Sequence, residues 1–249
     1  KTLFPYTTLF RSAWPVAPPT QSLYLQPDER LSFAPRAASG PSADDFDEYI
    51  ADPAKPVPYR HGPIAAVYAK NSTWSRWLVD DQRDFATRTD VLTYTSKALT
   101  APVAVRGEPV AQLFASTSGT DGDFVVKLID VYPDEVPEKP ELGGYQLPVS
   151  MDILRGRYRR DPAHPTPLTA GQVESYTLPL PHINHVFLPG HRIMVQVQSS
   201  WFPLYDRNPQ TYVDNIFFAR RADYKKATIR VFHSATQASR IQLPVVAKK

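Results

Sequence analysis

FVVKLIDVY, residues 124–132, is the strongest strand signal in this chain. Apolar residues stand on both parities of the run, so it reads as a β-strand buried in part on both faces, and Pro133 ends it. Just before it, Ser118-Gly119-Thr120-Asp121-Gly122 reads as a polar turn. On either side the same grammar repeats. Val91–Thr95, Val103–Arg106 and Glu108–Ala115 precede it; Gln146–Leu154, Gln172–Leu178, His191–Ser200, Ala227–His233 and Arg240–Val245 follow. In 108–115, Val110, Gln112 and Phe114 alternate with Ala111, Leu113 and Ala115; in 191–200, Ile193, Val195 and Val197 alternate with Gln196 and Gln198. Ser22–Leu25 and Leu31–Phe33 form a hairpin about Pro27-Asp28-Glu29-Arg30. Pro35–Asp44 and the proline-rich Asp52–Tyr59 read as loop or extended chain, and Pro63–Arg88 as a loop or short helix anchored by Trp74, Trp77 and Phe85. About ten short strands with little helix predict an all-β fold, a two-sheet antiparallel sandwich of jelly-roll type.

Composition agrees. Proline is 26 of 249 residues and falls between the apolar runs, where it punctuates strands and forbids long helices. The net charge is +3 with no Lys/Arg stripe, which argues against a nucleic-acid partner. Cysteine is absent, so there is no disulfide or thiolate chemistry. No run of about 18 apolar residues occurs, so no membrane-spanning helix and no membrane partner is expected.

Residues 2–12, TLFPYTTLFRS, resemble the translation of a standard sequencing-library adapter, residue for residue. The expected organisation is therefore an adapter artefact at 1–12, a linker at 13–22 and one β domain at 23–249.

The search for chemistry returns little. There is no nucleophile elbow; the 118–122 string lacks a serine between glycines. Asp121-Gly122-Asp123 begins like a calcium loop, but Phe124–Leu128 offer no oxygen ligands, so a turn is the better reading and no metal is expected. His182 and His185 are three apart, but Pro179 and Pro181 exclude a helix there, which leaves a loop pair. The densest polar-aromatic segment is SSWFPLYDRNP, 199–209. Trp201, Tyr205, Asp206, Arg207 and Asn208 are its candidates for domain contact or ligand binding. In the plainer alternative Asp206 and Arg207 pair locally and the aromatics cap the sandwich.

Six strings, taken in order, carry a resemblance: DPAKPVP (52–58), DVLTYTS (90–96), TDGDFVVKLIDVYP (120–133), LRGRYR (154–159), GHRI (190–193) and SSWFPLYDRN (199–208). Together they resemble the C-terminal domain of the CocE/NonD, or X-Pro dipeptidyl-peptidase, serine hydrolases. Within that family they are most similar to α-amino-acid ester hydrolases and glutaryl-cephalosporin acylases. The resemblance implies a galactose-binding-like jelly roll and a parent enzyme that acylates a serine, without a cofactor. In that family the serine, aspartate and histidine sit in an α/β-hydrolase domain ahead of the jelly roll. No residue here matches them, so no catalytic residue is carried over. The expected partner is that missing domain, on which this one would pack and whose active site it would shape. A free-standing carbohydrate-binding module, with Trp201 and Tyr205 as its stacking platform, is the alternative.

Overall fold

The computed structural model describes residues 19–37 and 45–246. The adapter-like stretch, most of the expected linker and most of the 35–44 loop lie outside them. Among the described residues are thirteen strands: β1 (Thr20–Gln26), β2 (Arg30–Ser32), β3 (Phe46–Ala51), β4 (Val91–Ser96), β5 (Val103–Gly107), β6 (Val110–Thr117), β7 (Asp123–Val131), β8 (Gln146–Arg155), β9 (Glu174–Pro179), β10 (Ile183–Phe187), β11 (Arg192–Gln198), β12 (Ala227–Phe232) and β13 (Arg240–Pro244). The first strand starts at Thr20, three residues ahead of the expected domain boundary.

Ten strands run in the order β3-β12-β6-β13-β1-β2-β4-β11-β7-β8, with β9 added to β6; β5 and β10 form a separate ribbon. The long sheet folds over on itself at the β1–β2 hairpin. One layer is β3, β12, β6, β13, β1 and β9; the other is β4, β11, β7 and β8. A single core joins them: Leu23, Tyr49, Leu113, Ile229, Val231 and Ile241 face Tyr94, Phe124, Val126, Leu128, Ile193, Val195 and Val197. The rings of Phe124 and Tyr176 meet across the gap, 4.3 Å between centroids. At roughly 1.5–3 kcal/mol per large apolar side chain, this interior dominates the fold's stability. The result is the expected all-β sandwich.

Three departures have physical reasons. First, β3 (FDEYIA) was not expected. It is an edge strand in which only Tyr49 and Ala51 are buried; Asp47 shares their face and accepts from the buried Tyr94 hydroxyl, so the acidic composition hides the alternation. Second, β10 was expected as loop; it pairs with β5 from Ile183↔Gly107 to Phe187↔Val103. The prolines at 179 and 181 precede it without interrupting it. Third, β2 joins β4 in parallel, over only two residue pairs, because the hairpin must hand the sheet from one layer to the other. Pro148 inside β8 is tolerated because that strand is an edge and the register shifts there, opposite Leu128/Ile129.

Candidate functional site

The C-terminal ends of β3, β6, β8 and β11 and the N-terminal ends of β7, β9 and β12 all lie at one end of the sandwich, as their registers require (Ala51↔Ala227, Thr117↔Ile229, Ala115↔Glu174, Asp123↔Arg155, Val125↔Gln198). The loops 52–59, 118–122, 156–171 and 199–226 therefore converge there. Four of the strings singled out in the sequence reach this cluster, and three of them, TDGD, LRGR and SSWFPLYDRN, meet side chain to side chain.

Their meeting point is a buried ionic network. Asp121 Oδ2 accepts from Arg157 Nε and Nη2 at 2.9 and 2.6 Å, and both side chains are essentially inaccessible. Asp123 faces its cross-strand neighbour Arg155, with Nε 3.8 Å from its carboxylate, and accepts from Asn208 Nδ2 at 2.8 Å. Arg155 also donates to both carboxylate oxygens of Asp206. Asn208 Oδ1 in turn accepts from the Gln210 backbone N–H. Burial pushes the Asp123 carboxyl up to about 7, against the pull of Arg155 and the Asn208 amide. Gly156, between the two arginines, is required by space: a Cβ there would lie 2.8 Å from the Gly122 carbonyl oxygen, which accepts the Gly156 N–H. The Asp-Gly-Asp turn thus uses its acids to bind the chain's own arginines.

The outer face of β7, β8 and β11 is covered by irregular chain. Val125 and, at its margin, Met151 and Ile153 pack under Tyr59, Trp77, Trp201 and Leu204. Farther along, Lys127 is fully buried beneath α1 (Arg83–Ala86). Its ammonium donates to Gln82 Oε1 at 2.9 Å and lies 4.8 Å from the Phe85 ring centroid. Burial without a countercharge pushes its pKa down to about 7.

The predicted loop residues separate into two groups. Trp201 is 4% exposed, edge-on to Trp77 and stacked on Tyr205, so it has no open face to offer a sugar, and the carbohydrate platform is not formed. Tyr205 remains 36% exposed. Asp206 and Arg207 do not pair locally: Asp206 turns to Arg155, while Arg207 Nη1 donates to the Pro53 carbonyl at 3.0 Å, with its guanidinium between Phe202 and Tyr224. Asn208 is buried in the network. The histidine reading is corrected as well. His185 sits in β10 and shares Asp130 with His191, each ring nitrogen 2.8 Å from a carboxylate oxygen, while His182 is exposed beside Glu108. Sequence reasoning passed over Asp121, Asp123, Arg155, Arg157 and Lys127 as site residues. For the four network residues the signal was the pair of strings TDGD and LRGR, in which the acids and the arginines each stand two apart; Asp123 and Arg155 meet across β7 and β8, and Asp121 and Arg157 just beyond the strand ends.

Among the described residues no serine or threonine hydroxyl hydrogen-bonds a histidine ring; the ring nitrogens take carboxylates or Arg36. No group of three or more His, Asp or Glu positioned for a metal occurs among them.

Comparisons with known proteins match this picture. The profile of the family described as X-Pro dipeptidyl-peptidase C-terminal non-catalytic domain matches residues 10–242. A cocaine esterase of Rhodococcus sp. (strain MB1 Bresler) is 38% identical over 203 residues, 82% of this chain and 33% of that protein. A putative serine esterase of Mycobacterium bovis is 28% identical, over 94% of this chain and 35% of its own length. Among solved structures, an aminopeptidase from a marine sediment archaeon, Thaumarchaeota archaeon, superposes with a TM-score of 0.90 at 56% identity, over 94% of this chain and 38% of that one. An α-amino acid ester hydrolase superposes with a TM-score of 0.86 at 54% identity, over 91% and 36%. The chain spans about a third of the length of these relatives. A family profile and a fold that agree over nearly the whole chain place it among the C-terminal non-catalytic domains of the CocE/NonD, X-Pro dipeptidyl-peptidase-like hydrolases.

Proposed function

We propose that this domain packs on an α/β-hydrolase domain of a serine esterase or peptidase, shapes the rim of its active site, and has no hydrolytic activity of its own. The observation that carries the reading is the fixation of the 199–208 loop. Asp206 and Asn208 tie it to Arg155 and Asp123, and Tyr59 N–H and Phe202 N–H bind the Phe202 and Val57 carbonyls to lock it against 52–59. Phe202, Tyr205 and Arg207 are thereby held at the surface on a rigid support, as a contact surface requires. Covalent acyl transfer needs a nucleophile and a base in hydrogen-bond contact, and among the described residues no serine or threonine hydroxyl meets a histidine ring.

The test is ester turnover by the purified chain, with an α-amino-acid ester as substrate. The expected result is no rate above buffer. Turnover that a serine-directed phosphonate abolishes would overturn the proposal.

A further inference from the structure

Beside the 199–208 loop lies an open cleft of about 440 Å³, lined by Asp52, Pro53, Arg207, Arg221, Tyr224 and Lys225 among others. We infer that it is a docking slot for an aspartate or glutamate side chain of the neighbouring hydrolase domain; the inference rests on the packing reading above.

Arg207 is prepared for a carboxylate. Its Nη1 is anchored on the Pro53 carbonyl, and its guanidinium carbon sits 5.6 Å from the Phe202 ring centroid and 5.4 Å from that of Tyr224. Aromatic walls and one anchor hold the fork in place before any partner arrives, so little side-chain entropy is lost on binding. Nε and Nη2 meet no acceptor among the described residues. The acids in and around the cleft already have partners, Asp52 its own within the lining. Asp206 binds Arg155, Asp52 lies 3.0 Å from Lys226 Nζ, and Asp223 caps the Arg220 N–H at 2.7 Å. Arg221 and Lys225 on the rim are exposed and have no carboxylate partner among the described residues. A chain of net charge +3 has therefore gathered three uncommitted cations in one cleft.

The flank points to a protein rather than a free anion. Phe217 and Phe218, on the turn Ile216–Phe218 just ahead of Arg221, are each 81% exposed. Exposed aromatics beside a preorganised arginine are the composition of an interface centre. A small anion would gain nothing from the two phenyl rings.

Two measurements test the inference. In the isolated chain, the ¹⁵N resonance of Arg207 Nε is followed during titration with sodium acetate, with chloride at matched ionic strength as control. A saturable shift with acetate alone, lost in Arg207→Gln, is expected; no shift overturns the slot. The chain then replaces the corresponding domain of the α-amino acid ester hydrolase relative. In that chimera Arg207→Gln should inactivate on heating at least about tenfold faster than the unsubstituted form, the size expected when a desolvated interfacial charge pair loses one partner. The double change Arg221→Gln, Lys225→Gln alters only exposed groups and should do the same more weakly, with a flatter salt dependence. Both variants inactivating at the unsubstituted rate would overturn the inference while the packing reading stands. An unsubstituted chimera that fails to assemble would overturn the packing reading and this inference with it.

Discussion

On its inner face β7 presents Phe124, Val126 and Leu128 to the opposite sheet; on its outer face it presents Asp123, Val125 and Lys127 to irregular chain. All six are buried. The inner face is closed by regular strands whose own polar groups are satisfied in the ladder, so apolar side chains suffice. The outer face is closed by loops and short helical turns, which bring charged and amide groups inward with them. Asp123 meets Arg155 and Asn208, whereas Lys127 meets only an amide oxygen and an aromatic ring. One strand thus shows two ways of burying a face: by area, and by polar matching.

Polar matching should fail more abruptly. Arg157→Ala leaves Asp121 buried without a countercharge, and should cost about 3–5 kcal/mol, the penalty of breaking a buried pair from one side. Urea unfolding measures it; a loss under about 1 kcal/mol would mean that water reaches Asp121 and that the network is not closed. Leu128→Ala on the inner face should cost about 2–5 kcal/mol, because surrounding strands collapse only partly around the missing methyls. If the inner-face change proved the costlier by several kcal/mol, area would dominate at both faces and the contrast would fail.

The inner face was legible in the sequence because burial by area leaves a period. Val110–Thr117 and Arg192–Gln198 show it plainly, and FVVKLIDV signals a strand with no water on either side. The outer face was not legible. Lysine is an exposed residue by default, so nothing local marks Lys127 as buried. Asp206 finds its partner 51 positions away in Arg155, while Arg207 stands next to it and does not pair with it. Matching of this kind depends on which loops share an end of the sandwich, and that follows from topology. Edge strands fall between the two cases. Glu48 and Arg230 pair across β3 and β12 at 2.9 Å, and these outward charges mask a strand whose inward Tyr49 and Ala51 are ordinary core residues.

The buried charges make the outer face sensitive to pH. Lys127 has a folded pKa near 7, below its unfolded value of 10.5. Between these values the unfolded chain holds a proton that the folded chain has lost, so stability should rise with pH, by about 1.4 kcal/mol per unit where only this group differs. Lys127→Met should abolish the rise between pH 7 and 10 in urea titrations, whatever it does to the absolute value through the stranded Gln82 oxygen. An unchanged slope would place the ammonium in contact with water and remove the distinction between Lys127 and an exposed lysine.

Asp123 should act in the opposite sense and in the adjacent window. Its folded pKa of about 7 lies above the ordinary 3.8, so between these values the folded chain holds the extra proton and stability falls as pH rises. Asp123→Asn preserves an oxygen for the Asn208 amide and imitates the protonated acid. Near pH 4, where the acid is protonated in the folded chain, the substitution should change stability by less than about 1 kcal/mol, and toward pH 7 the variant should become the more stable of the two. Its effect should appear as a flattened slope between pH 4 and 7. A large loss at pH 7 with the slope unchanged would show that Asp123 is ionised throughout. Its pairing with Arg155 would then resemble that of Asp121 with Arg157, and Lys127 would be left as the single poorly matched charge on the face.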